Sequence, residues 1–120
     1  MNIKIKKDSP EAAIGLLMSV AYIDNDFAEE EELLILKLAA SYDYPTDEIE
    51  KIKSDIINSH YNKFDICEKY ITSIENKELK EKLFEDIGHL IASDHLLHEN
   101  EIFVYKQIAQ KWDMYQSSKG

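Results

Sequence analysis

An all-α fold is the prediction for these 120 residues, and three observations carry it. Apolar residues recur at three- and four-residue spacing along most of the chain, the period of helices with one buried face. Only three Gly and two Pro are present, too few for the tight turns of an all-β chain. The chain also repeats itself at an offset of 70 residues, placing Asp24 on Asp94, Glu29 on Glu99 and Glu31 on Glu101. Beyond these, Ala39 falls on Ala109, Tyr42 on Trp112 and Asp43 on Asp113. A repeat of this kind predicts a bundle of about six helices built from two quasi-repeated helix–loop–helix units, each with an acidic loop.

Taken in order, Ser9-Pro10-Glu11 supplies an N-cap followed by proline at the first helical position. Ile14, Leu17, Val20 and Ala21 then keep helical spacing up to Asp24. A second helix is predicted from about Glu29 to Asp43, with Leu34, Leu38 and Tyr42 on its buried face and Ile35 and Ala39 widening it. Pro45 interrupts, and Thr46-Asp47-Glu48 restarts a helix whose stripe is Ile49, Ile52 and Ile56. Asn62 caps a fourth helix, with Ile66, Tyr70, Ile71 and Ile74 on its inner side. Asn76 caps a fifth, carrying Leu79, Leu83, Ile87, Leu90 and Ile91. The last runs from about Glu99 to Trp112 through Ile102, Tyr105, Ile108 and Ala109. One domain over residues 1–120 is expected, with a loose N-terminal arm over 1–8 and a frayed tail over 116–120.

A hydrophobic share of 44% and a mean hydropathy of −0.42 place the chain among soluble globular proteins. No run approaches the ~20 apolar residues that span a bilayer. The basic start Met1-Asn2-Ile3-Lys4-Ile5-Lys6-Lys7 lacks an apolar signal core. A single cysteine, Cys67, forms no internal disulfide and reads as a buried core thiol. A cytoplasmic location is the expectation. The net charge is −10, and residues 21–55 hold eleven acids against three lysines, or −8. Such a chain is not a nucleic-acid binder. It contains no arginine, so bidentate phosphate recognition is closed to it. An acidic field attracts cations or a basic protein surface.

Two readings of the acidic loops compete. In the structural one Glu31 is the third residue of its helix and reaches back to the N-cap N–H, half of a capping box. Glu29, Glu30, Glu31 and Glu32 together oppose the positive end of the helix dipole, worth ~0.3–1 kcal/mol each when well placed. In the functional one, carboxylates from Asp24, Asp26 and Glu31, with Asp94 and Glu101 in the second loop, hold a hard divalent cation: calcium, magnesium or manganese, with zinc ranked behind them. The spacing is not an EF-hand, because Ile35 stands where a bidentate Glu is required and Glu29 where Gly is expected. In the second loop Leu96 replaces Asp26, and His95 and His98 appear. The Glu-x-x-His pairs of a di-iron bundle are missing. Neither a nucleophile elbow nor a phosphate-cradling loop is present. The expectation is therefore a protein without enzymatic activity.

The stretches Ala21-Tyr22-Ile23-Asp24-Asn25-Asp26-Phe27-Ala28-Glu29-Glu30-Glu31 and Ile91-Ala92-Ser93-Asp94-His95-Leu96-Leu97-His98-Glu99-Asn100-Glu101 carry a resemblance. The chain resembles the TerB-like family of tellurite-resistance helical domains over about residues 12–114. The shared pattern is Ala, then Asp-Gly, an apolar residue, and a Glu seven after the Asp. The resemblance implies an all-helical fold of two quasi-repeated halves, an acidic surface for divalent cations, and a place in stress or tellurite resistance. Asp24, Glu31, Asp94 and Glu101 carry over. The glycine does not, since Asn25 and His95 stand there, and Asn tolerates positive φ better than His.

The leading functional expectation is thus an acidic, TerB-like domain that binds a divalent cation, a basic protein partner, or both. Glu29, Glu30 and Glu32 are the expected partner-facing acids. The alternative is a small acidic immunity protein that neutralises a basic toxin such as a nuclease.

Overall fold

The computed structural model describes residues 5–23, 29–59, 62–92 and 99–114. Among these residues the chain forms six α-helices and no strand, as the sequence predicts. They are α1 (Pro10–Ala21), α2 (Glu29–Ser41), α3 (Ile49–Ile57), α4 (Lys63–Thr72), α5 (Lys77–Ala92) and α6 (Glu99–Lys111). None is long and apolar enough to cross a membrane.

Helix α1 is the hub of the bundle. Every residue from Ala12 to Ala21 is buried, and α2, α3, α4, α5 and α6 all pack against it. The expected amphipathic face of Ile14, Leu17, Val20 and Ala21 is therefore only part of a helix buried all round. The cause is compositional: no charged residue occurs between Ala12 and Ile23, and a helix without a polar face belongs in the interior. Its small residues let neighbours come close. The ring of Tyr70 from α4 lies directly against the backbone at Gly15, where a Cβ would overlap it. The start is capped as predicted: Ser9 Oγ accepts from Ala12 N–H at 3.0 Å, and Pro10 occupies the first turn.

Residues 5–8, the described part of the expected N-terminal arm, are tied to the rest of the chain. Ile5 packs on the core. Lys7 pairs with Glu75 at 2.8 Å. Asp8, in the left-handed region at φ 57°, donates its N–H to Ser73 O at 3.0 Å. Its Oδ1 accepts from the N–H groups of Glu75 (2.6 Å) and Asn76 (2.9 Å). Those backbone donors at Asn76 and Glu75 hold the Asp8 carboxyl below the usual aspartate range. A group whose folded pKa is depressed stabilises the fold above its unfolded value and loses that contribution as pH falls through the folded one. Asp8→Asn keeps the tolerance for positive φ but removes the charge. It should cost about 1 kcal/mol at neutral pH, the scale of a lost cap, and progressively less as acid protonates the Asp8 carboxyl. Urea midpoints of the two proteins across a series of falling pH values measure this.

Helices α2 and α6 bear out the repeat in detail. Each has 13 residues, and the second starts and stops 70 positions after the first (29 to 99, 41 to 111). Each ends in the same Schellman turn. Tyr44 N–H reaches Ala39 O at 3.0 Å and Asp43 N–H reaches Ala40 O at 3.1 Å. Met114 N–H reaches Ala109 O at 2.7 Å and Asp113 N–H reaches Gln110 O at 3.3 Å. The residue that must turn left-handed is Asp43 at φ 59° in one and Asp113 at φ 58° in the other, a conformation that Asp visits more readily than most side chains. Tyr42 and Trp112, just before them, are both buried.

The buried faces of these two helices are rotated from the predicted ones. In α2 the interior line is Glu31, Ile35 and Ala39, with Leu34 and Leu38 only half-buried. In α6 it is Glu101, Val104, Ile108 and Ala109, with Ile102 and Tyr105 half-buried. In each case a carboxylate occupies the first position of the interior row.

The remaining elements follow the sequence closely. After Pro45 a single 3-10 turn, Thr46–Glu48, leads into α3, which buries Ile49, Ile52 and Ile56. Asn62 caps α4 by accepting from Phe64 N–H at 2.7 Å, and Asn76 caps α5 by accepting from Leu79 N–H at 2.9 Å. Helix α4 buries Ile66, Cys67, Tyr70 and Ile71, and α5 buries Leu83, Ile87, Leu90 and Ile91.

Candidate functional site

The first turns of α2 and α6 hold the described part of the predicted site. The four acids opening α2 split by rotation about its axis. Glu29 and Glu30 are exposed and Glu31 is 0% exposed, while Glu32 is half-buried. Glu32 Oε2 lies 3.4 Å from Lys53 Nζ of α3. In α6, Glu99 is exposed and Glu101 is 1% exposed. Glu31 and Glu101 thus occupy the same position of equivalent helices, in the interior, beside the positive ends of two helix dipoles. The other predicted ligands, Asp24, Asp26 and Asp94, lie outside the described residues. Among the described residues no cluster of three or more His, Cys, Asp or Glu side chains is arranged to hold a metal ion.

A second cluster joins α2 to α5. Tyr42 Oη donates to Asp86 Oδ2 at 2.5 Å, and Lys82 Nζ lies 3.3 Å from the same oxygen. The Lys82 ammonium also donates to Ser41 Oγ at 3.0 Å and sits 4.3 Å above the centre of the Tyr42 ring. It borders a shallow cleft of about 260 Å³ whose wall includes Asp8, Ser9 and Asp43. Burial, and then the hydrogen bond to Asp86, push the Tyr42 phenol well above its ordinary range. The phenol therefore stays protonated at neutral pH and ties two helices together. Cys67 is likewise held as a thiol, pushed up to about 12 by burial; a thiol so protonated is a poor nucleophile.

Among the described residues four large apolar side chains stand out in solvent: Leu33, Ile57, Phe64 and Phe103. Leu33 and Phe103 hold the same position in the repeat (33 to 103) and are 55% and 53% exposed. Sequence periodicity passed over this pair, although the 70-residue alignment already placed one on the other. The Tyr42–Asp86 link joins residues 44 positions apart and leaves no local sequence signal. Comparison of the chain with protein-family models, with curated proteins and with solved structures finds no match.

Proposed function

We propose that this chain is an acidic, non-enzymatic helical domain of TerB-like type that binds a basic protein surface in a stress or tellurite-resistance setting. The observation that carries the reading is the split of the first turn of α2. Glu31 is turned into the interior, while Glu29 and Glu30 face solvent. One turn further, Leu33 is 55% exposed. Acids beside an exposed apolar side chain suit a contact in which charge steers the encounter and apolar area holds it. The net −8 of residues 21–55 supplies the field. Occupation of the first loop by calcium, magnesium or manganese through Asp24, Asp26 and Glu31 is part of the same proposal. It rests on the chemistry of those residues.

Affinity capture with mass spectrometry identifies the partner, and its nature separates the leading reading from that of an immunity protein bound to a basic toxin. The association rate should then fall clearly between low salt and ~0.5 M, because the screening length is already about 8 Å at physiological ionic strength. Glu29→Lys with Glu30→Lys should slow association with the helical signal unchanged. A salt-independent rate would overturn the charge-steered contact. Calorimetry with each cation should show binding that disappears in Asp24→Asn, and no heat from any of them removes the cation from the proposal.

A further inference from the structure

Helices α4 and α6 do not close on one another. They meet through the edge-to-face contact of Phe64 with Phe103, whose ring centres are 5.9 Å apart at 80°. They are also bridged by the ion pair of Lys111 with Glu68 at 2.7 Å. Between them lies a cleft of about 200 Å³ walled by Phe64, Ile71, Phe103 and Val104, with the carboxylates of Asp65 and Glu68 on its rim. That volume is several times the ~30 Å³ of a water molecule and leaves room for a bulky side chain. Phe64 is 36% and Phe103 53% exposed. Both rings leave apolar area in water, and aromatic groups at the edge of a cleft are the usual anchors of protein contacts.

We infer that the α4–α6 cleft is a docking groove for a basic amphipathic segment of a partner protein, which seats an apolar side chain beside the Phe64–Phe103 pair and sets its lysines or arginines against Asp65 and Glu68. The charge of the rim selects this occupant. The residues lining the cleft include two carboxylates and no cation. Of the lysines on the two helices, Lys63, Lys69, Lys106 and Lys111, none lines the cleft, and Lys111 is held by a solvent-exposed pair with Glu68, the kind worth ~1 kcal/mol or less and easily exchanged. Glu99 adds a third exposed acid, one helical turn before Phe103. A second copy of the chain is the poorer fit, because it would bring another −10 of charge to the same surface. Leu33 supplies the internal comparison. It has the same place in the repeat and equal exposure, but the hollow beside it is lined by Glu30, Leu33, Leu34 and Lys37 of α2 alone and has no aromatic wall. The inference rests on the basic-partner reading and adds to the acid-flanked Leu33 of α2 a second apolar anchor at the α4–α6 cleft.

The test uses the full chain and a synthetic leucine–lysine amphipathic helix about five turns long, with a lysine-only peptide of equal charge as control. Amide shifts in a nitrogen-15 titration should concentrate on residues 63–71 and 103–107. Phe103→Ser and Phe64→Ser should each weaken the peptide roughly tenfold or more, the scale of a central anchor. Ile57→Ser, at a solvent-facing site on α3, should leave affinity within about twofold, since surface changes away from the contact have small effects. All three sites are solvent-facing, and circular-dichroism melting verifies that the fold is kept. Equal binding of the lysine-only peptide, or shifts confined to the first turn of α2 with Phe103→Ser as wild type, would overturn the groove and leave the basic-partner reading standing. Failure of both cationic peptides to bind at low salt would remove both. Self-association in sedimentation that is lost in Phe103→Ser would assign the groove to a second copy and overturn the basic occupant.

Discussion

Gly15→Ala should destabilise this protein by about 2 kcal/mol or more, although the same exchange in an exposed helix stabilises by about 1 kcal/mol. Gly15 sits in α1 with buried residues on every side. A Cβ built there overlaps the ring edge of Tyr70, with Cδ1 at 2.7 Å and Cε1 and Cζ closer still. Tyr70 is only 3% exposed, so its ring has no free space to move into. Either α4 shifts away from α1 or the ring leaves its place. Overpacking of this kind costs ~1–3 kcal/mol when the core yields, and more when it does not. Displacing a large aromatic approaches the ~3–5 kcal/mol of deleting one. Chemical denaturation measures the loss, and a double-mutant cycle locates its cause. In a Tyr70→Leu background, Gly15→Ala should be neutral or stabilising, giving a coupling of ~1–3 kcal/mol. A raised midpoint for Gly15→Ala in the wild-type background would show that α1 and α4 are not in contact there.

Much of the fold was legible because its signals are local. Ser9, Asn62 and Asn76 cap helices through side-chain oxygens that act within three residues, which is why a cap can be read from sequence. The 70-residue repeat predicted equivalent helices, and the matched Asp43 and Asp113 proved to be the two left-handed residues of equivalent Schellman turns. Sequence reading failed where burial is decided by the whole bundle. The centrality of α1 depends on all five other helices packing around it; its own signal was the absence of charge from Ala12 to Ile23. The faces of α2 and α6 were misplaced because periodicity counts a carboxylate as polar and turns it outward. Burying Glu31 and Glu101 carries each helix round towards the row of Ile35 and Ala39, or of Val104 and Ile108. The site was legible in outline only. Glu29 and Glu30 face solvent as expected, but the Lys53 partner of Glu32 lies 21 positions away on another helix. The Phe64–Phe103 contact joins residues still further apart in sequence. Long-range pairs of this kind depend on helix packing, and no spacing rule within one helix reports them.

Glu31→Ala and Glu101→Ala should each cost ~1–3 kcal/mol, and by similar amounts. Both side chains are buried, at 0% and 1% exposure, and each is the third residue of its helix. A carboxyl group in such a place is held by hydrogen-bond donors, and the first turn of a helix supplies backbone N–H groups that have no partner within the helix. Truncation strips those buried donors of their acceptor, which costs ~1–3 kcal/mol, and removes the negative charge that the helix dipole favours at this end. Glu30→Ala is the control. It lies next along the chain but faces solvent, so it should stay within ~0.5 kcal/mol of wild type. Glu31→Gln keeps the volume and one acceptor oxygen and should fall between the two. Urea denaturation in chelator and in millimolar calcium separates the two readings of these residues. A loss of the same size in both solutions makes the carboxylate part of the fold itself. A loss seen only with calcium makes it a ligand, because a bound ion stabilises the folded state by mass action and the variant alone would lack that gain. The expected result is a loss in chelator for both helices, since burial at the same position of two equivalent helices is a property of the fold, with a further loss at Glu31 in calcium, where the proposed first-loop ion would lose one of its ligands. A large loss at Glu31 with none at Glu101 would break the equivalence of the two units at the position where the repeat is most explicit.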